Sequence, residues 1–514
     1  MGEVSSEKGF SKWSVLIITS LSIFIIVIDT TMMNVSISAL VADLDTTVNG
    51  VQGAITLYAV VIAALTLSAA KLADIWGIKR VFVGGVAIYG IGTTMAAMSI
   101  NLPMLVLGWS ILEGVGAAMM MPTTINYITR TYSGKDKVLA FGLWGGIGGA
   151  GAAFGPIVGG FFTSYYTWRL GFLMEVVIVL VIVALQKYLR EYPPVEGMRF
   201  DILGALLSGS AMVFSTLGVL MIDPLGQTPA GAVIGLGVGL FVLFLLYERR
   251  RMRAGKDPLI DLNLFKSRAF TIGNLVSLFF QMTLAGVMFT IPVYVQLVMR
   301  YSAIATGITL MPLSISMFIF SLLGNKLLKV MTPKRAIQLG IVLTMLGIFL
   351  LWRNMALDMS LLDFAPGLTF YGIGLGIIFS QITDLSMSGA KPSQYSEASG
   401  FFNSQKQYAY SLGTALIGII LVLGLIGGIT NTIYESGKAP DIPKEVIKDR
   451  VIEWVKMIKQ GDLQIPPEYV PIVDKITDLA AVDAMKAVMI FMIIVLVIGL
   501  IISIWLPSVH AKKQ

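Results

Sequence analysis

Cysteine is absent from this chain, which excludes disulfides, a thiol nucleophile and thiolate metal sites. Histidine occurs once, at His510 in the tail, so imidazole chemistry is unavailable within the apolar part. Charged residues make up 13% of the chain, where ordinary soluble domains carry about a quarter. Apolar residues take their place: 56% are hydrophobic and the mean hydropathy is +0.82. This balance specifies an all-α polytopic membrane protein, because lipid admits helices whose backbone groups are satisfied internally. The formal charge of +7 does not point to nucleic acid, since basic residues flanking membrane spans are expected from orientation alone. No cofactor, no metal site and no catalytic constellation is expected.

Apolar runs of about 20 residues, the length that crosses a bilayer, lie near 13–40, 50–72, 81–100, 103–128, 138–162, 170–189, 202–222 and 230–247. Six more lie near 269–298, 304–328, 335–352, 361–388, 399–427 and 483–507, making fourteen transmembrane helices. Lys8 and Lys12 precede the first run, which has no small-residue cleavage pattern and is expected to be retained as a helix. Alternate connections collect most of the basic residues: Lys79 and Arg80, Arg130 to Lys137, Arg249 to Arg268, and Lys326 to Arg335. The other short loops carry Arg169, Arg300 and Arg353. That asymmetry predicts a multi-pass protein of the cell membrane with both termini cytoplasmic. Residues 431–482 depart from the pattern, with mixed charges from Lys438 to Lys456 at spacings that suit short amphipathic helices on the outer side.

One stretch is unusual in composition. Nine of the nineteen residues from Gly142 to Gly160 are glycine, which would cost a water-exposed helix about 1 kcal/mol each against alanine. Within a membrane, Gly151, Gly155 and Gly159 line one face at every fourth residue and let another backbone approach closely. Pro156 removes a backbone donor and bends the helix. The spacing of Gly142, Gly151, Gly155, Pro156, Gly159 and Gly160 resembles the antiporter motif on the fifth helix of drug:proton antiporters in the major facilitator superfamily.

Other stretches carry the same resemblance. In the first run, Ile28 to Ser38 (IDTTMMNVSIS) places Asp29 about halfway along a span, where an ionised carboxylate costs about 3 kcal/mol on insertion scales. Such a cost implies use or a partner. Asn34, five residues on, could face the same cavity. The stretch resembles the first-helix signature of the fourteen-helix antiporters, with Ser36 and Ser38 in place of alanine and proline; the resemblance implies that Asp29 serves binding or proton coupling. Ala70 to Arg80 (AKLADIWGIKR) resembles the superfamily loop motif, keeping Asp74, Gly77, Lys79 and Arg80. Gly77 permits a tight turn, and Asp74 can accept bonds from an arginine or a helix amino terminus in one conformer and release them in another.

Trp109 to Pro122 resembles a fourth-helix motif whose arginine is replaced here by Ser110. Glu113 stands three residues on, on nearly the same helical face and close to mid-membrane, and is a candidate titratable or cation-binding group. Glu175, where the family has asparagine, is balanced between a functional acid and an interfacial partner of Arg169. Segments at Phe200 to Ser208 and Asp257 to Phe270 resemble those bracketing the two extra helices of the fourteen-helix branch. Arg300 stands where the family has glycine. The expected organisation is an N-terminal lobe over 1–195 (helices 1–6), an interposed pair over 196–262 (helices 7–8), and a C-terminal lobe over 263–514 (helices 9–14).

Together these features predict a proton-coupled multidrug efflux transporter, working by alternating access on membrane carboxylates, monomeric, with lipophilic cations as the expected small-molecule cargo. Exchange of one proton for one monovalent cation moves no net charge, so expelling dications against the membrane potential calls for more than one titrating acid. Exporters of a specific lipid, peptide or metabolite would share these motifs; a membrane-embedded enzyme or receptor is the remote reading.

Overall fold

The computed structural model describes residues 11–195, 197–222, 229–328, 330–391, 394–435, 442–460 and 470–508. His510, Lys8 and Lys438 lie outside them. Fourteen helices among the described residues are long and apolar enough to cross a membrane. In chain order they are α1 (Trp13–Asn34), α2 (Val48–Trp76), α3 (Ile78–Ala97), α4 (Leu102–Thr131), α5 (Leu143–Tyr165), α6 (Arg169–Tyr188) and α7 (Ile202–Leu220). There follow α8 (Ala230–Arg253), α9 (Arg268–Val298), α10 (Ala303–Gly324), α11 (Pro333–Asn354), α12 (Leu361–Met387), α13 (Tyr395–Glu435) and α14 (Lys475–Ser503). No strand occurs among the described residues.

Local chemistry sets the helix ends. Asn101 accepts from Met104 N at the start of the α4 region, Asp201 caps α7, Ser267 caps α9, and Thr332 with Pro333 opens α11; each satisfies a donor left over at a helix start. Gly77 joins α2 directly to α3 with φ +93, a conformation an L side chain resists. The first span is shorter than expected: it stops at Asn34, and a separate short helix follows over Ile37–Asp43. Asp29 therefore sits five residues from the end of α1 and not halfway along it.

Helices α1 to α6 pack mainly among themselves, and α9 to α14 likewise. The groups meet where α2 lies along α13 and α5 along α10. The glycines of α5 permit close contacts: a Cβ on Gly151 would lie 3.0 Å from Phe24 O, and one on Gly159 2.5 Å from Met32 O, both on α1. Gly155 faces Thr31 of the same helix. Gly160 instead meets α10, 2.7 Å from Ala303 O, and Pro156 abuts Gly307 there. α5 is thus pressed against α1 on one side and α10 on the other. The pair α7 and α8 packs together, with α7 against α2 and α13, while α8 is the least enclosed span.

Polar contacts cross between the groups near both membrane faces. On the side bearing Lys79 and Arg80, Lys71 of α2 pairs with Glu397 of α13 at 2.9 Å, and Glu397 also accepts from Asp261 N. On the opposite side, Gln296 of α9 accepts from the Ser38 hydroxyl and donates to Val35 O. There α13 extends to Glu435, and an amphipathic helix over Lys444–Gln460 packs Ile447 and Val451 against Ile426.

Candidate functional site

Three carboxyl groups from three helices meet inside the amino-terminal group. Asp29 of α1, Glu113 of α4 and Glu175 of α6 are each 0% exposed, and one oxygen from each lies within 4.8 Å of the others. Aromatic donors surround them. Trp109, one turn before Glu113, donates Nε1 to Asp29 Oδ2 at 2.8 Å; Tyr89 of α3 donates its hydroxyl to Glu175 Oε2 at 2.9 Å. Tyr58 of α2 stacks on Trp109 with ring centroids 5.7 Å apart, and Phe172 meets Trp109 edge-on.

Supply and demand for hydrogen bonds do not balance in this pocket. Asp29 Oδ1, both Glu113 oxygens, Glu175 Oε1 and the Tyr58 hydroxyl are buried with no hydrogen-bond partner among the described residues. No described basic residue forms an ion pair with any of the three acids. Buried acceptors left in this way are costly, and a shared proton or a small cation bound among the oxygens would satisfy them. α4 is wound as a π-helix over Val106–Glu113, an uncommon geometry that often marks functional positions, and it delivers Trp109 and Glu113 into the pocket.

The structure sorts the expected residues into separate places. Glu175 joins Asp29 and Glu113, and Arg169 does not pair with it: Arg169 pairs with Asp43, which also accepts from Trp168 Nε1 at 2.9 Å. Asn34 does not share the acid pocket; its Nδ2 donates to Thr30 O at 2.6 Å and to the Tyr410 hydroxyl of α13 at 3.3 Å, across the seam between the two groups. The three acids face one another within the bundle. Ser110, in the position where an arginine was expected by resemblance, donates to Ala54 O of α2 at 2.9 Å and contributes no charge.

A family model described as Major Facilitator Superfamily matches residues 19–201 and 192–414. The chain belongs to the major facilitator superfamily. Among this facilitator's relatives, the probable actinorhodin transporter of Streptomyces coelicolor is 28% identical, the match covering 80% of this chain and 72% of that protein. Multidrug resistance protein Stp of Mycobacterium tuberculosis is 26% identical over 85% of this chain and 81% of its own length. A solved bacterial homologue of the human lysosomal transporter Spinster shares the fold, with TM-score 0.62 at 15% identity, covering 97% of this chain and 98% of that one. With fourteen spans and such relatives, the protein is a drug-antiporter-like membrane transporter.

The facilitator's loop residues sit at the α2–α3 corner. Asp74 Oδ1 faces Arg130 Nη2 of α4 at 3.3 Å and accepts from Ser396 of α13 at 3.1 Å; Lys79 is partly buried and Arg80 exposed. Asp74 therefore links both helix groups, through an arginine about a third exposed. Sequence reasoning missed Tyr58, Tyr89 and Trp109, although Trp109 precedes Glu113 by one helical turn. It also passed over Lys406, which stands alone as a charge in the apolar run 399–427. An isolated ionisable residue within a span is itself the signal that could have found it.

Proposed function

We propose that this facilitator is a proton-coupled efflux transporter of amphipathic organic compounds. The observation that carries the reading is the buried meeting of Asp29, Glu113 and Glu175, three acids from three helices with unpartnered oxygens and no ion pair to a lysine or arginine among the described residues. Three carboxyls so placed can take up, share and release protons without an arginine. Because they hang on α1, α4 and α6, proton binding can bias how those helices pack, and so how the group α1–α6 meets the group α9–α14. In this proposal the two groups rock about the seam as N- and C-terminal lobes, with α7 and α8 carried at the side, in a monomer of the cell membrane whose termini face the cytoplasm.

The lipophilic-cation preference expected from the sequence requires carboxyls facing the cargo route. Here they face one another inside the bundle, so the reading proposed carries no charge preference for cargo. The experiment is proton release and counterflow in proteoliposomes holding the full chain. Asp29→Asn should abolish cargo efflux driven by a pH gradient while the purified protein keeps its thermal unfolding transition. Gradient-driven efflux at the wild-type rate in that variant would refute the assignment.

A further inference from the structure

Lys406 is a lone charge within a membrane span, set apart from the acid pocket. It lies eleven residues into α13, about 16 Å along the helix from Tyr395, and is partly buried. Its Nζ lies 5.6 Å from the ring centroids of both Phe379 of α12 and Phe402 of α13. No carboxylate among the described residues pairs with it; Glu397, on the same helix, is committed to Lys71. Ring faces supply part of the solvation an ammonium loses in lipid, yet its N–H donors remain unanswered by any anion.

Position decides what that charge can meet. Phe402, Lys406 and Tyr410 recur at every fourth residue and so share one face of α13. Tyr410 on that face accepts from Asn34 of α1, and the adjacent Gln407 reaches Met121 of α4. The lysine therefore stands at the seam between the two helix groups, where cargo must pass if they rock against each other, and away from the enclosed acids. A counterion built into the protein would have neutralised it permanently.

We propose that Lys406 recognises an anionic group, a carboxylate or phenolate, on the transported compound, with Phe379 and Phe402 flanking the compound's apolar body. This assigns a cargo class to the transporter proposed above and rests on that reading for transport, though not for binding. An ammonium–carboxylate contact in a site of low dielectric forms a charge-assisted hydrogen bond, stronger than a neutral one. The cargo class is thus amphipathic organic acids, and the proton site and cargo site are different places with opposite charge.

The test uses three probes with one aromatic body: pyrenebutyrate, pyrenebutanol and pyrenebutyltrimethylammonium. Binding to the full-length protein in detergent, followed by pyrene fluorescence without any gradient, should favour the carboxylate over the ammonium by about tenfold or more. Lys406→Gln should weaken pyrenebutyrate by about tenfold and leave pyrenebutanol unchanged, while Lys406→Arg recovers most of the loss. Equal binding of the three probes by the wild type, tighter binding of the ammonium, or equal weakening of all three in Lys406→Gln would overturn the proposal. Should Lys406→Gln fail to fold, the wild-type order of the three probes decides alone. Proton coupling is read separately in vesicles: pyrenebutyrate flux indifferent to the pH gradient would defeat the proposed function and leave the lysine site standing.

Discussion

Two charged places within the spans of this membrane protein are built in opposite ways. The acid pocket gathers three carboxyls from α1, α4 and α6, is wholly enclosed, and is fed by hydrogen bonds from Trp109 and Tyr89. Lys406 is solitary, partly exposed, held between two phenylalanine rings and set where the helix groups meet. Enclosure suits a site for protons, which need only oxygen lone pairs, whereas openness suits a site for a bulky compound, which needs a wall and an entrance. The contrast teaches that charge type alone does not identify a cargo site; placement relative to the moving seam does.

The comparison can be broken most decisively at Asp29. Asp29→Asn should remove gradient-driven efflux entirely, and Glu113→Gln should reduce it at least tenfold, because each leaves the pocket unable to cycle its full complement of protons. Both variants should retain pyrenebutyrate binding in detergent, since Lys406 is untouched. If either lost that binding while remaining folded, the two places would be one site and the contrast would fail.

Next in size is the packing that lets the groups move. Gly159→Val places its added carbons against Met32 O, already 2.5 Å from where a Cβ would sit, and overpacking of that kind costs about 1–3 kcal/mol. A lowered unfolding temperature together with lost transport is expected; an unchanged unfolding temperature would show that α5 yields freely to α1.

Trp109→Phe sharpens the acid pocket itself. The ring retains its place against Tyr58, but Asp29 loses an N–H donor, a contact to a carboxylate of about 1.5–3 kcal/mol. Transport should fall several-fold, with its pH profile displaced while pyrenebutyrate affinity stays constant. A profile identical to the wild type would remove the indole from the coupling machinery.

The smallest effect is expected at Arg300, which has φ +60 at the position where the resembling family has glycine. Arg300→Gly should change stability by less than about 1 kcal/mol, because relief of left-handed strain opposes the greater chain freedom of glycine. Transport should be unaffected, which initial-rate measurements would check. A large loss would assign Arg300 a role beyond its contact with Asp478 at 3.6 Å.

Composition and span length were sufficient for the class and the number of helices, because a bilayer imposes one requirement on every span: about 20 apolar residues with the backbone bonded internally. The glycine stripe of α5 was legible for a similar reason. A repeat of four places Gly151, Gly155 and Gly159 on one face whatever lies opposite, although the structure was needed to show that α1 lies there. Asp29 and Glu113 stood out as carboxyls in lipid, where their cost betrays them.

Which helix each face meets was decided only by the tertiary structure. Helical period groups residues along one element but carries no address for its neighbour, and the fourteen spans are too alike in hydropathy to supply one. Thus Glu175 turned inward to Tyr89 and the other acids while Arg169 took Asp43, Asn34 turned to Tyr410 instead of Asp29, and Lys406 came to rest against Phe379 of α12. Those pairings join residues tens to hundreds of positions apart. They exist because packing in three dimensions, not local pattern, chooses which polar groups share the few places where lipid is excluded.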